Sequence, residues 1–402
     1  MRLIPTRLRE FLVAIGEALP AGFALVYLWI IGLRLFPAEG VAPMDFQCFW
    51  AASKFALTGT PSDVYDMDVF KAAQHALLGS TDAPACMFIY PPLSLLLFLP
   101  LALLPYTASA LVWLTATAAA YAAGLRALLP GWAPVPLFFA FPAAFLNAWY
   151  VQSGFLSAAL FAGAASQLSR RPILAGVCVG CLVFKPHLGL VLPLALAAAG
   201  RWRAFFAATT VVLASAAVAT AGFGADIWPA FLTSVEHASR WMEDPPGRVG
   251  FDMASVFAAV RFATGGHVGW AYAVQACAAG VACGLMVAAL YRRPGGQAEG
   301  ALMAAAASLS TPYFFQYNQI ILAVPLAWVL AEARRTGFLP WERIAFGALL
   351  LSPALTYAAV LAWGIPLAPL TSIGVFAATL RRVRCLSPDA AGAPAPPRVA
   401  LA

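Results

Sequence analysis

The chain has 402 residues, of which 62% are hydrophobic and 10% are charged, and its mean hydropathy is +0.82. Soluble domains carry about 25% charged residues, so this composition excludes a soluble globular protein and indicates an integral membrane protein. The net charge of +7 sits in short basic clusters beside apolar runs, which argues against nucleic-acid binding. Because helices satisfy their own backbone hydrogen bonds in lipid, we predict an all-α, polytopic transmembrane bundle.

The first apolar run covers residues 11–36 and is too long for the hydrophobic region of a signal peptide. Three arginines precede it, so we expect a retained first span and a cytoplasmic N-terminus. Residues 37–85 then form the first outer loop. Within this loop, residues 46–57 and 69–78 have the pattern of short amphipathic helices that lie at the membrane interface.

Two pairs of cysteines lead to different expectations. Cys48 and Cys86 fall in or next to the outer loop and could form a disulfide outside the membrane. Cys178 and Cys181 form a C-x-x-C motif inside an apolar helix. Cysteine in such a helix behaves as a small hydrophobic residue, so we predict helix packing there rather than a redox role.

Basic clusters predict the cytoplasmic turns, because Lys and Arg are enriched on that side of membrane proteins. After the first span they are Arg170–Arg171, Arg201 with Arg203, Arg292–Arg293, Arg334–Arg335 with Arg343, and Arg381 and Arg382 with Arg384. Four apolar runs separate the outer loop from the first of these clusters, near 88–104, 106–128, 133–148 and 150–169. An odd number of crossings is required in this interval, so one run should be re-entrant or incomplete.

An interrupted hydrophobic segment lies between Arg171 and Arg201. Its centre contains Lys185 and Pro186; proline breaks a helix and a lysine is costly in lipid. We therefore predict two half-length helices that meet at Lys185 and face an outer cavity. Interrupted segments of this kind often mark binding sites in membrane proteins.

In the second half of the chain, predicted spans again alternate between cytoplasmic turns and outer loops. A span should run from Arg203 to about Phe223, followed by a second outer loop at 224–250 and a short interfacial or re-entrant segment at 251–263. Later spans are expected near 268–291, 298–312, 317–333, 341–363 and 366–380. The total is about twelve crossings, half helices included, which places both termini in the cytoplasm. A single membrane domain covers 1–382, and the Ala/Pro-rich tail 383–402 is expected to be disordered.

Polar residues at membrane depth are expensive, so they are candidates for function. In this topology they share the outer face, and they are Asp45, Tyr90, Gln152, Lys185, His187, His237, Arg240, Tyr313, Gln316, Tyr317 and Asn318. Most of them have a structural alternative. Asp45 could cap the following helix, and Lys185 could extend to the interface. Tyr313 and Tyr317 could belong to an interfacial belt, His187 could be a packed core residue, and His237 and Arg240 could be solvated surface.

Signatures of other chemistry are missing from the sequence. The four histidines are scattered and no H-E-x-x-H motif occurs, so we expect no metal. A phosphate-binding glycine-rich loop and a nucleophilic serine elbow are also missing, so we expect no cofactor and no nucleotide-driven reaction.

Short motifs follow one another in a fixed order between residues 40 and 330. They are Met44-Asp45-Phe46, Phe49-Trp50, Val64-Tyr65-Asp66, Tyr90-Pro91-Pro92, Gln152-Ser153-Gly154, Lys185-Pro186-His187, Ser310-x-Pro312 and Tyr317-Asn318. This series resembles glycosyltransferase family 87 of the C-type (GT-C) superfamily, whose members take sugars from polyprenyl phosphates. The resemblance implies a GT-C-like bundle in the bacterial inner membrane, with the active site facing the periplasm or exterior.

The resemblance also implies roles for the candidate residues. Asp45 matches the general base of an inverting transfer. Lys185, His187 and Arg240 would bind the donor phosphate, and the substrate-binding residues would be Trp50, Tyr90, Gln152, His237, Tyr313, Gln316, Tyr317 and Asn318. The implied partners are a polyprenyl-phosphate hexose, with mannose expected, a hydroxyl acceptor on a lipid or glycan, and membrane lipids. A transporter or flippase of a lipid-linked sugar and a non-catalytic scaffold remain the alternatives.

Overall fold

The computed structural model describes residues 22, 25–35, 45–79, 85–243 and 252–386. These residues form helices joined by turns, and the β-bridge recorded among them joins Met253 to Phe315. The all-α prediction is confirmed for this part of the chain. The N-terminal arginines, Asp82 and the tail from residue 387 onward lie outside the described residues.

The helices within the described residues have the following bounds. In chain order they are α1 (Leu25–Leu35), α2 (Phe46–Thr58), α3 (Met67–Leu78), α4 (Leu93–Phe98), α5 (Tyr106–Leu128), α6 (Val135–Phe139), α7 (Pro142–Trp149), α8 (Gly154–Gln167), α9 (Pro172–Cys181), α10 (Pro186–Gly189), α11 (Leu192–Ala198), α12 (Trp202–Phe223), α13 (Ile227–Glu243), α14 (Val256–Ala263), α15 (Val268–Leu290), α16 (Gly296–Ala307), α17 (Ala323–Thr336), α18 (Glu342–Trp363) and α19 (Pro369–Leu386). Short 3-10 helices cover Pro61–Tyr65, Leu99–Leu103, Leu182–Phe184 and Gln316–Leu322.

Four of the described helices are long and apolar enough to cross a bilayer: α5, α12, α15 and α18, each of 22 or 23 residues. The other apolar helices are shorter, and several are broken by proline. Residues 133–148, for example, form the two short helices α6 and α7, because Pro142 begins a new helix rather than continuing the old one. The number of crossings therefore stays a prediction, whereas the incomplete character of several apolar runs is seen directly.

Three segments differ from the sequence expectation. The second outer loop, predicted at 224–250, contains the 17-residue helix α13. The span predicted at 298–312 is the 12-residue α16, almost all of it buried inside the protein. Helix α19 extends to Leu386, four residues beyond the predicted end of the membrane domain. Hydropathy measures transfer into lipid, so it cannot separate a lipid-facing span from a short helix that is buried by its neighbours.

The interrupted segment has the predicted form. Helix α9 passes into a 3-10 turn at Leu182–Phe184, and α10 begins after Lys185. Lys185 has φ −129° and ψ 73°, outside the helical region, because the proline that follows it disfavours helical backbone at this position. The side chain of Lys185 therefore projects from a break between two helical segments.

The arginine-bearing turns meet at one end of the bundle. Arg201 Nε lies 2.7 Å from Glu299 Oε2, and the same guanidinium donates to Ser169 Oγ at 3.2 Å. Arg170 and Arg335 line one cavity of about 420 Å³ at this end. Turns that are far apart in the sequence are thus neighbours in space, as expected if all of them face the cytoplasm.

Helix α8 organises the centre, since it packs against α5, α9 and α16. It begins just after Gln152, and the turn between α8 and α9 carries Arg170. At 1.5 Å per residue, α8 and α9 each place their far ends about 15 to 21 Å from this turn. Gln152 and Lys185 therefore lie together at the end of the bundle opposite the arginines.

Candidate active site

Asp45 immediately precedes α2, but its side chain makes no capping hydrogen bond to that helix. Asp45 Oδ2 instead accepts a 2.9 Å hydrogen bond from Gln152 Nε2. The interpretation of Asp45 as a side-chain cap is therefore wrong. The first turns of α2 are buried, and Phe49 stacks on Phe98 with ring centroids 4.4 Å apart. This packing fixes the backbone that carries Asp45.

A disulfide joins Cys48 to Cys86, which confirms the predicted pairing. It links the first turn of α2 to the segment that leads to Tyr90. Tyr65 supports the same segment by donating a 2.8 Å hydrogen bond to the Tyr90 carbonyl oxygen. Asp45 and Tyr90 are consequently presented by two stretches of chain that are covalently tied together.

Gln152 is presented by a tight turn between α7 and α8. Val151 has φ 49°, a left-handed backbone that costs about 1–3 kcal/mol for a residue other than glycine. Asn147 closes the turn, because its carbonyl oxygen accepts from Gln152 N at 2.9 Å and its Oδ1 accepts from Gly154 N at 2.6 Å. A Cβ at position 154 would lie 2.5 Å from Asn147 Oδ1, so only glycine fits.

Lys185 is only 2% exposed, so it does not extend to the interface and that interpretation is wrong. Its Nζ donates a 3.1 Å hydrogen bond to Asn318 Oδ1 and lies 4.8 Å from the centre of the Tyr317 ring. The Tyr90 ring is 5.9 Å from the same ammonium group. Three of the other sequence candidates thus surround the Lys185 cation, and Tyr90 also reaches Gln152 through a long, 3.4 Å contact.

Two polar atoms beside this cation have no hydrogen-bond partner in the structure. They are Asn318 Nδ2 and His187 Nε2, both fully buried at the atom. A buried polar group without a partner costs about 1–3 kcal/mol and calls for an explanation. Vacant hydrogen-bonding groups next to a buried ammonium are what an anionic ligand would satisfy.

Burial raises the pKa of the Asp45 carboxyl, because the charged form loses its hydration. The hydrogen bond from Gln152 opposes this effect, and so do the positive charges of Lys185 and Arg34. Arg34 is the site residue that the sequence reasoning missed. Its guanidinium lies over the Trp149 ring, 4.3 Å from the centroid. A signal was available, since an arginine at the outer end of the first span departs from the positive-inside pattern.

Other predicted site residues are held by contacts within the protein. Trp50 is 6% exposed and its indole N–H donates to the Leu104 carbonyl oxygen at 3.0 Å, so it is a core residue and cannot stack on a sugar in this structure. Tyr313 forms a separate cluster, in which its hydroxyl lies 2.9 Å from the Tyr272 hydroxyl. Gln316 is buried, and its Oε1 accepts a hydrogen bond from Gln319.

His237 and Arg240 lie on the exposed surface of α13. Arg240 pairs with Glu236, one helical turn earlier, and both side chains are more than 60% exposed. The structure therefore does not bring these two residues to the Asp45–Lys185 cluster. Their roles in binding the donor stay predictions.

The comparisons with known proteins give one match. The family model of glycosyltransferase family 87 matches residues 88–312, which is more than half of the chain. The matched region contains Tyr90, Gln152, Lys185 and His187, whereas Asp45 precedes it. No curated protein and no solved structure matches the chain significantly.

Proposed function

Because the chain belongs to glycosyltransferase family 87, and is by that membership a membrane glycosyltransferase, we propose that it transfers a hexose from a polyprenyl phosphate to a hydroxyl acceptor. The donor sugar is expected to be mannose and the acceptor a lipid or glycan. The observation that carries the proposal is the cluster formed by Asp45 and Lys185, in which one half-buried carboxylate and one buried ammonium are held by amide side chains from distant segments.

The proposed reaction is an inverting displacement, with Asp45 as the base. Asp45 takes the proton of the acceptor hydroxyl as the oxygen forms a bond to the anomeric carbon of the sugar. The bond between that carbon and the phosphate oxygen breaks, and its electron pair leaves with the polyprenyl phosphate. A positioned general base contributes about 10²–10⁴-fold to such a step. The carboxylate loses its negative charge as the phosphate gains one, so the step balances without a metal or cofactor.

The leaving phosphate requires positive charge and hydrogen-bond donors. Lys185 supplies the charge, and it is held in place by Asn318 Oδ1 at 3.1 Å. Asn318 Nδ2 and His187 Nε2 are buried and have no hydrogen-bond partner, so both are free to bind phosphate oxygens. Charge-assisted bonds of this kind, aimed at the position where negative charge develops, stabilise a transition state more than the ground state.

Two observations support an outward-facing site. A disulfide forms three residues after Asp45, and disulfides persist in oxidising compartments such as the periplasm. The cluster also lies at the opposite end of α8 from the arginine turns, which are expected in the cytoplasm. Both agree with the proposal that the protein lies in the bacterial inner membrane with its site towards the periplasm.

Sugar transfer in reconstituted liposomes tests the proposal. Wild-type protein should label a lipid or glycan acceptor from radiolabelled polyprenyl-phosphate mannose. Asp45→Asn should abolish the product, and Lys185→Ala should reduce it by at least tenfold. The matched controls are Asp68→Asn and Lys71→Ala, which change exposed residues of the same outer loop and should keep full activity.

Each negative outcome has a distinct meaning. Equal transfer by wild type and Asp45→Asn would remove Asp45 as the base. A wild-type protein that transfers from no polyprenyl-phosphate sugar would contradict the proposed donor class. Lipid scrambling of the same donor would then be measured, since a flippase is the competing hypothesis.

A further inference from the structure

The orientation of the Gln152 amide is fixed by two independent contacts. Its Oε1 accepts a hydrogen bond from Ser153 N at 3.2 Å, and its Nε2 donates to Asp45 Oδ2 at 2.9 Å. A flipped amide would set Nε2 against the Ser153 N–H and Oε1 against the Asp45 carboxylate. Both contacts would become repulsive. The Ser153 N–H therefore determines that the N–H group of the Gln152 amide, and not its oxygen, faces Asp45.

We propose that Gln152 is the positioning residue of Asp45: it holds the carboxylate through Oδ2 and leaves Oδ1 to receive the proton of the acceptor. This role replaces the sugar contact expected from the sequence, and it rests on the proposed function of Asp45 as general base. Gln152 is 5% exposed, and the contacts of its amide go to Asp45, Ser153 and Tyr90. Little hydrogen-bonding capacity is left for a substrate.

The turn that carries Gln152 is rigid in the way that a positioning role requires. Val151 is fully buried in a left-handed conformation, and Asn147 accepts hydrogen bonds from the backbone N–H groups of Gln152 and Gly154. Such a conformation persists only where the surroundings determine it, and it occurs often at functional sites. A side chain that starts from a fixed backbone and ends on a fixed N–H has its rotamer restrained at both ends.

Several other groups influence the ionisation of Asp45 and must be considered when a change at Gln152 is predicted. Lys185 and Arg34 contribute positive charge, and Tyr90, Tyr150 and Tyr317 are phenols close enough to be influenced by its charge. Burial opposes ionisation of the carboxyl, and the Gln152 hydrogen bond favours it. Without that bond, Asp45 should bind its proton at a higher pH.

The first measurement is the pH dependence of sugar transfer by Gln152→Leu and Gln152→Glu. The acid limb should move upward by about one pH unit or more in Gln152→Leu, with activity partly recovered at alkaline pH. Gln152→Glu should shift it in the same direction, because two adjacent carboxylates cannot both ionise readily. If kcat and the acid limb are unchanged while the donor KM rises, Gln152 contacts the sugar and the inference is overturned.

The control is Gln275→Leu. Gln275 is 4% exposed, its Oε1 accepts from Phe257 N at 3.0 Å, and its Nε2 donates to the Leu309 carbonyl oxygen at 2.8 Å. Removing this amide perturbs the core to a similar extent without touching Asp45. We expect Gln275→Leu to lower the rate of sugar transfer by the same factor at every pH. This result would separate a fold defect from a change in the ionisation of Asp45.

A second readout does not require turnover. The infrared band of the protonated Asp45 carboxyl, isolated as wild type minus Asp45→Asn, is titrated with and without Gln152→Leu. A higher titration midpoint in the variant supports positioning even if no polyprenyl-phosphate sugar is transferred, in which case only the proposed function fails. An unchanged midpoint overturns the positioning role whatever the activity.

Discussion

Lys185 donates a 3.1 Å hydrogen bond to Asn318, which lies 133 residues further along the chain. The two residues sit at matching points of their segments, since Lys185 lies in the break between α9 and α10 and Asn318 in the 3-10 helix before α17. Two irregular backbone stretches therefore meet at the same depth. Irregular backbone is tolerated at membrane depth only where it is buried in protein or lines a cavity, and both Lys185 and Asn318 are buried, at 2% and 1% exposure.

Asn318→Asp should impair use of the donor more than Asn318→Ala. The new carboxylate would pair with Lys185 and repel the donor phosphate, whereas alanine only removes a neutral ligand of the ammonium. A hydrogen bond to a charged group is worth about 1.5–3 kcal/mol, so we expect the donor KM to rise by roughly tenfold or more in Asn318→Asp. Initial rates over a range of donor concentrations measure this effect. Equal KM values for the two variants and wild type would show that Asn318 does not control the phosphate site.

The disulfide can be tested by counting thiols. The chain has seven cysteines, and five of them, Cys178, Cys181, Cys277, Cys283 and Cys385, are free in the structure. Denatured protein should therefore take up five maleimides without reductant and seven after reduction. The double variant Cys48→Ser/Cys86→Ser should take up five in both conditions and lose about 2–4 kcal/mol of stability. Seven reactive thiols in unreduced wild type would contradict both the disulfide and the outward placement of the site.

The sequence predicted the features that depend on local chemistry. The break at Lys185 follows from the proline beside it, and the limits of α12 follow from hydropathy between Arg201 and a glycine. The grouping of Asp45, Gln152 and Lys185 followed from the cost of polar groups in lipid combined with the parity of the arginine turns.

Features that depend on tertiary contacts were not predictable in the same way. Trp50 and Tyr90 are both aromatic residues near the outer face, yet only Tyr90 reaches the cluster, because α2 turns Trp50 towards Leu104. Helix α13 was expected as a loop, since its polar residues mask an amphipathic pattern in a hydropathy profile. Arg34 was hidden inside an apolar run, and the influence of its charge on Asp45 becomes visible only once α1 is packed.

Asp45→Asn should separate stability from activity. Burial raises the pKa of Asp45 in the folded protein, so the folded state binds its proton more tightly than the unfolded state and the ionised carboxyl opposes folding. At neutral pH the neutral variant should therefore melt at the same temperature as wild type or higher, although it transfers no sugar. The difference should shrink as the pH falls through the pKa of Asp45, where wild type becomes neutral as well. Thermal unfolding in detergent at several pH values measures this, and a variant that melts lower at every pH would show that the carboxylate stabilises the fold.

Gly300 should be the least replaceable glycine at the centre of the bundle. A Cβ at this position would lie 2.3 Å from Ala165 Cα, a backbone atom that cannot move without shifting α8. Small residues at such crossings let membrane helices approach closely, and inserting a methyl group into a packed core costs about 1–3 kcal/mol.

Gly280→Ala is the matched control, because Gly280 also lies inside a helix but has no neighbouring atom within 4 Å of its Cβ position. Removing a helical glycine there should stabilise by roughly 0.5–1 kcal/mol. Melting temperatures of both variants decide the matter: a lower value for Gly300→Ala and an equal or higher one for Gly280→Ala is expected. Since α8 starts next to Gln152, Gly300→Ala should also reduce transfer, and retention of full activity with an unchanged melting temperature would contradict the close packing of α8 on α16.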